Sequence, residues 1–339
     1  MKNILFLFFF VSGILAFSQQ VTFHTVFNDK ISIRAIEMYD NKVWYSGTDS
    51  KFGFVELKNP RNQKQITISD KKLQFRTLAQ DKNSFYTINI ESPAYFFKIS
   101  KKDLKPEIIF TDTVKTAFYD ALHFVDAHLA YAFSDPDKDG YLKLVFYKDN
   151  KWIAARPQGR PRLNEGEAAF AASNTNIASS GSYVWLATGG KTSRIFKFRK
   201  SDIDHWKLIN TPIVQGMPSQ GVYSIDFCND RFGIVAGGDY TKQEENVNNI
   251  ATTHDGGETW QIQASGKNAG YTTCIKIRPG SEGKEIIAVG DRHISFSSDY
   301  GKTWKVISDE KNLYTCQWAD TETVVLAGKD RIAVMTLKF

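Results

Sequence analysis

The sequence predicts an all-β fold: a seven-bladed β-propeller of four-stranded blades, closed by an N-terminal strand that completes the last blade. Three observations predict it. The frame Ser/Thr-x-Asp-x-Gly-x-Thr-Trp occurs twice, as THDGGETW at 253–260 and SSDYGKTW at 297–304. A strand-turn-strand preamble precedes both copies and recurs without the phrase along the chain. A lone strand, VTFHTVF at 21–27, stands before the first repeat, while the last repeat is one strand short.

In chain order, residues 1–18 come first. They hold one Lys, an apolar run from Ile4 to Phe17 and the small-x-small pattern Ala16-Phe17-Ser18, the signature of a secretory signal peptide. The run falls short of the ~20 apolar residues of a spanning helix, so the chain is expected to be exported, to the periplasm or outside the cell. Residues 19–339 then read as one domain.

Seven units follow, opening near residues 31, 73, 117, 166, 221, 271 and 313. They include SIRAIEMYDNKVWYSGT, FRTLAQDKNSFYTINI, YDALHFVDAHLAYAFSDP and EAAFAASNTNIASSGSYVWLATGG, each with the period-2 alternation of half-buried strands. Their spacing of 42 to 55 residues suits a four-stranded blade. YKDNKW at 147–152 and SDIDHW at 201–206 keep the Trp of the repeated phrase without its Gly. The seventh unit offers only YTCQWAD, TVVLAGK and RIAVMTLKF before Phe339, so VTFHTVF is expected to supply its fourth strand and remove the open edge.

The repeated phrase has a physical meaning of its own. Asp255 and Asp299 can accept backbone N–H groups a few residues on, Gly257 and Gly301 supply a left-handed turn, and Thr259-Trp260 and Thr303-Trp304 start a strand with an inward indole. These carboxylates are therefore expected to be structural. Three cysteines, Cys228, Cys274 and Cys316, sit in apolar runs and read as buried free thiols, with a Cys274–Cys316 bridge as the alternative. A net charge of +6, spread along the chain, is too mild for a nucleic-acid partner.

With these residues in view, the chain resembles the BNR/Asp-box propellers, in the WD40/YVTN/BNR-like repeat class, and is similar to the branch of the photosystem II stability and assembly factor. The stretches that carry the resemblance are SIRAI...VWYSGT, YDALHF...AFSDP, GEAAFAAS...TGG..SR and YSIDF...VAGGDY...ATTHDGGETW. The resemblance implies a non-catalytic binding or assembly scaffold for a protein or peptide client. Asp-box propellers also include sialidases, which makes a glycan hydrolase the rival. That chemistry needs an Arg cluster, a Tyr nucleophile with a Glu partner and an Asp acid. Arg34, Arg76, Arg194, Tyr119, Asp120 and Glu167 could supply it, but no Arg-Ile-Pro phrase occurs and their surroundings match poorly.

The first strand of each unit should line the central channel. That places Arg34, Arg76, Asp120 and Glu167 at its mouth, with Tyr119 beside Asp120 and with Asp135, Arg194 and Asp239 at the ends of second strands on the same face. Two arginines beside two carboxylates read either as structural ion pairs or as a site for an anionic or peptide ligand. No metal or cofactor is expected. SDPDKDG opens like a calcium loop but puts Phe146 where a bidentate Glu is required, and the six histidines lack ligand spacing. No phosphate-binding glycine loop occurs. The chain is expected to be a monomer, with a protein or peptide client, or a glycan, as its partner.

Overall fold

The computed structural model describes residues 20–156 and 159–338, and the expected signal peptide at 1–18 lies outside the described residues. All regular structure among the described residues is β-strand. The strands form six sheets around a central channel, four of them four-stranded and two six-stranded.

This corrects the expectation of seven four-stranded blades: counted by its sheets, the ring has six. The stretches read as the first and last units share one sheet, in the order Leu313–Trp318, Thr323–Lys338, Gln20–Tyr39, Lys42–Gly47, Lys51–Glu56, Gln63–Thr67. Two long strands cause the fusion. Gln20–Tyr39 pairs with Thr323–Lys338 from Gln20↔Lys338 to Ser32↔Lys329. It then runs on, without a turn, to pair with Lys42–Gly47 from Ile33↔Gly47. Bulges between Thr25 and Phe27 and between Asn28 and Ser32 absorb the change of partner.

Four sheets are simple meanders, starting with strands Ala79–Gln80, Tyr119–Phe124, Ile177–Ser180 and Cys274–Ile277. The remaining sheet is Glu167–Ala168, Gly189–Gly190, Gln220–Phe227, Gly233–Asp239, Ile250–Thr253 and Gln261–Gln263. Glu167 was expected on a channel-lining strand. It instead sits on a two-residue edge strand, because the inner strand of its unit starts only at Ile177.

Turn chemistry fixes the hairpins. Asp40-Asn41 and Asp149-Asn150 both take positive φ at the two central positions, the pattern of tight hairpin turns, which Asp and Asn tolerate. Middle strands such as Tyr183–Ala187 and Gly233–Asp239 read as unbroken apolar or small runs because neighbouring sheets cover both their faces. Aromatic side chains make the seams: Trp44 against Phe85 at 4.5 Å, Phe96 against Tyr119 at 4.9 Å, Tyr131 against Phe198 at 5.0 Å and Trp185 stacked on Phe227 at 3.8 Å. Each such buried ring contributes roughly 1.5–3 kcal/mol from area alone.

One segment leaves this pattern. Phe170–Thr175 carries no strand and crosses the channel, and its polar groups are tied to the inner strands, or the residues leading into them, around the hub. Asn174 accepts Leu122 N–H at 2.9 Å and donates to Leu78 O at 2.8 Å and Leu122 O at 3.2 Å. Ser173 donates to Thr273 O at 2.6 Å, and its own carbonyl accepts the Thr315 hydroxyl at 3.2 Å. Thr175 and Ser224 hydroxyls meet at 2.7 Å, and Thr175 O accepts Ile225 N–H at 2.8 Å. The segment is a plug, and small residues let it fit.

Candidate functional site

The plug divides the hub into two cavities. Earlier residues of the inner strands and the chain leading into them, with Ala169 and with Phe170–Ala172 of the plug, line one of 440 Å³. Later residues of the same strands, with Ser173–Thr175, line the other, of 260 Å³.

The larger cavity contains Arg34 and Arg76. Each is half-buried and reaches down to the plug: Arg34 Nη1 donates to Ala172 O at 2.9 Å and Arg76 Nη1 to Ala171 O at 3.4 Å. The Arg34 guanidinium also lies 4.1 Å from the centre of the Tyr314 ring. Neither makes a salt bridge among the described residues. Burial, and then the neighbouring charge of Arg34, lowers the Arg76 pKa. Two guanidinium groups lining one cavity, neither in a salt bridge among the described residues, form a site that favours an anion.

An aromatic wall faces the arginines. Phe170 stacks on Tyr223 with ring centres 3.9 Å apart and planes 3° apart, and Tyr271 meets Tyr223 edge-on at 4.8 Å. The Tyr223 hydroxyl is fixed by Ser219 O at 2.7 Å, so this wall is rigid. Tyr240, half exposed, and Pro218 continue it toward the rim, where Met217 is exposed. The sequence reading missed this wall; the aromatics of AAFAAS, YSIDF and GGDY were signals for it.

Asp120 lies on the inner strand Tyr119–Phe124 and is fully buried, while Arg76 precedes the short strand Ala79–Gln80. Neither of its carboxylate oxygens completes a hydrogen bond of normal geometry, although the Ala171 amide exerts a weak pull. Burial and then the Asp135 charge push its pKa well above the usual carboxylate range. Burial raises Asp135 to about 6. The structure therefore brings Arg34, Arg76, Asp120 and Asp135 to one region around the plug.

The other candidates are employed elsewhere. Glu167 and Arg194 form a buried pair, with Arg194 Nε 3.0 and 3.1 Å from the two carboxylate oxygens and Nη2 2.5 Å from the second. Thr188 Oγ1 at 2.6 Å and Asn164 N–H at 2.8 Å complete the Glu167 shell, leaving it no free lone pair for a ligand. The Tyr119 hydroxyl donates to Asp112 at 2.9 Å inside the core. Asp239 accepts Thr241 N–H at 2.9 Å and the Thr241 hydroxyl at 2.6 Å. Burial opposes its charge, but these bonds with those from Ser219 and Gln220 outweigh burial and lower its pKa.

The repeated phrases have matching geometry. Asp255 accepts the Thr253 hydroxyl at 2.7 Å, Thr259 N–H at 2.9 Å and the Thr259 hydroxyl at 2.6 Å. Asp299 accepts the Ser297 hydroxyl at 2.9 Å, Thr303 N–H at 2.9 Å and the Thr303 hydroxyl at 2.7 Å. Gly257 and Gly301, at φ 86 and 80, each donate N–H to the leading hydroxyl at 2.9 Å. Trp260 packs edge-on to Phe227 at 6.0 Å, and Trp304 packs against the Ile234 and Ile286 cluster. In SDPDKDG, Asp137 is spent on Asp139 and Tyr141 N–H, both at 3.0 Å, and on Arg160 at 2.9 Å. Among the described residues no group of three or more His, Cys, Asp and Glu could hold a metal ion.

No protein-family model matches the sequence, and no curated protein matches it. Solved structures do match in shape. YCF48 bound to D1 peptide aligns with TM-score 0.65 at 14% identity, over 94% of this chain and 97% of that one. The WD40 β-propeller domain of Doa1 aligns with TM-score 0.64 at 13% identity, over 95% and 97%. YCF48 from Cyanidioschyzon merolae gives 0.65 at 11% identity, over 93% and 98%. At such identities the likeness is one of architecture, and what it establishes is that this chain is a β-propeller of the shape YCF48 and WD40 domains share.

Proposed function

We infer that the protein is an exported, non-catalytic binding scaffold of the Asp-box propeller type that receives a protein or peptide segment at the mouth of its channel. One observation carries the reading: Arg34 and Arg76 line one 440 Å³ cavity, and among the described residues neither guanidinium is held in a salt bridge. The occupant that fits is a peptide segment bearing a carboxylate, set against the arginines, with an apolar side chain against Tyr223, Tyr271 and the Met217 rim. A propeller of the same shape, YCF48, has been solved with a D1 peptide bound, which supports the class of partner. A sialidase-like arrangement finds no support in the site, since Tyr119 and Glu167 are engaged in the core and away from the arginine pair.

The test is a display screen of random peptides on the folded chain beside the Arg34→Ala/Arg76→Ala double variant. The reading expects enriched peptides rich in Asp, Glu or a free C-terminus, with affinity at least about tenfold weaker for the double variant. Peptides that bind both proteins equally would sink it. Turnover of a glycan by the same preparation would replace it with the hydrolase.

A further inference from the structure

We propose that Cys274 and Cys316 form an oxidisable dithiol, which a hydroperoxide converts to a disulfide that bolts together the two sheets meeting at the ring closure. Cys274 begins the inner strand Cys274–Ile277 of one sheet. Cys316 lies in the inner strand Leu313–Trp318 of the sheet that joins the two ends of the described chain. Their Sγ atoms are 3.7 Å apart, and Cys274 Sγ accepts Cys316 N–H at 3.4 Å. A disulfide needs the sulfurs at ~2.0 Å, so the approach is a small adjustment of two side chains already in contact.

Charge and access favour the step. The thiolate is the nucleophile in thiol oxidation. Burial opposes the charge of Lys276, two residues beyond Cys274, but Asp226, 3.7 Å away, and then the two cysteines outweigh it and raise the Lys276 pKa, so a cation acts on the pair. Burial opposes the Cys274 thiolate, while the Cys316 thiol and Lys276 favour it more strongly. Cys316 lines the 260 Å³ cavity on the far side of the plug. That cavity has room for several water molecules, so hydrogen peroxide fits in it and meets the pair from the Cys316 side.

The chemistry balances. The Cys274 thiolate attacks one peroxide oxygen, the O–O bond breaks, and hydroxide leaves to become water. The resulting sulfenic acid is attacked by Cys316 sulfur as its thiol proton departs; the S–O bond breaks and a second water forms. Two thiols are oxidised by two electrons and one peroxide is reduced. The new bond spans neighbouring sheets at a point where only side-chain packing and hydrogen bonds held them.

The experiment uses the full chain carrying Cys228→Ser, since Cys228 is exposed and would react separately. The reduced protein is titrated with hydrogen peroxide, denatured, alkylated and mapped by mass spectrometry. The proposal expects a loss of about 2 Da, no alkylation at either remaining cysteine, a linked Cys274–Cys316 peptide and reversal by dithiothreitol. It also expects a melting temperature higher by about 3 °C or more without reductant. Linking should be at least about tenfold faster in the folded chain than in denaturant, because proximity is the cause. The Cys274→Ala variant should give no link within the chain. Full alkylation of both thiols after peroxide, links only between chains, or equal rates folded and unfolded would each overturn it.

Discussion

A carboxyl group with no exposure and no completed hydrogen bond is an energetic cost that the fold carries at Asp120. The cost depends on pH, and its sign follows from the direction of the shift. Burial raises the folded pKa of Asp120 well above 3.8 and that of Asp135 to about 6, so the folded state holds protons that the unfolded chain has already released. The stability these groups contribute is full below about pH 4 and is lost as pH rises through the folded values. Asp135→Asn removes the penalty of ionising one of them. Urea unfolding should show this variant gaining on the wild type between pH 4 and pH 8 by about 2 kcal/mol, discounted for its partial exposure. Asp120→Asn should move in the same direction, and the double variant should gain less than the sum because the two groups interact. A pH-independent difference would mean that both carboxyls already find partners in solution. The arginines above them were legible in the sequence as residues but not as partners. Pattern alone could not tell that Glu167 would be claimed by Arg194 while Arg34 and Arg76 would form no salt bridge among the described residues.

At the level of the element, the two Asp phrases and the plug make opposite demands on sequence. THDGGETW and SSDYGKTW were readable because the hydrogen bonds of their Asp and leading hydroxyl close within eight residues, and local bonding leaves a fixed spacing in the letters. Asp255→Ala and Asp299→Ala should each cost about 1–2 kcal/mol in urea midpoint at unchanged m-value, with peptide affinity at the channel mouth unaltered. Loss of binding in either would return the phrase to the functional site. The plug was not readable, since the partners of Asn174 are Leu78 and Leu122, brought near only by closure of the ring. Its one local sign was AAFAASN, a run of small residues where the other units write a strand. Asn174→Ala leaves a buried N–H and two carbonyls unpaired, and should lower stability by about 2–4 kcal/mol. It should also loosen the floor beneath Arg34 and Arg76, so the same variant is expected to weaken peptide binding. Thermal melting together with titration of a selected peptide checks both.

The ring as a whole is held shut by its most non-local contact, the pairing of Gln20–Tyr39 with Thr323–Lys338. Alternation and turns gave the strands away, but the number of sheets depends on whether a strand stops or continues between partners. A bulge leaves little in the letters, and for that reason the sequence reading overcounted the blades. The join has a mechanical consequence. Val334, Met335 and Leu337 are buried beneath or beside the N-terminal half of Gln20–Tyr39, so removing residues 20–28 strips a row of backbone hydrogen bonds and uncovers an apolar edge. An uncovered edge strand pairs with whatever strand it meets. The truncated chain should therefore elute as dimers and larger species in size-exclusion chromatography at concentrations where the longer chain runs as one size. Its unfolding should also broaden, because sheets no longer joined end to end lose their cooperativity. Adding the missing strand back as a synthetic peptide of residues 20–28 should restore both the elution volume and the sharp transition. A truncated chain that stays monodisperse and unfolds as sharply as before would show that packing between sheets closes the ring without the paired strands, and that the shared sheet is a consequence of closure and not its cause.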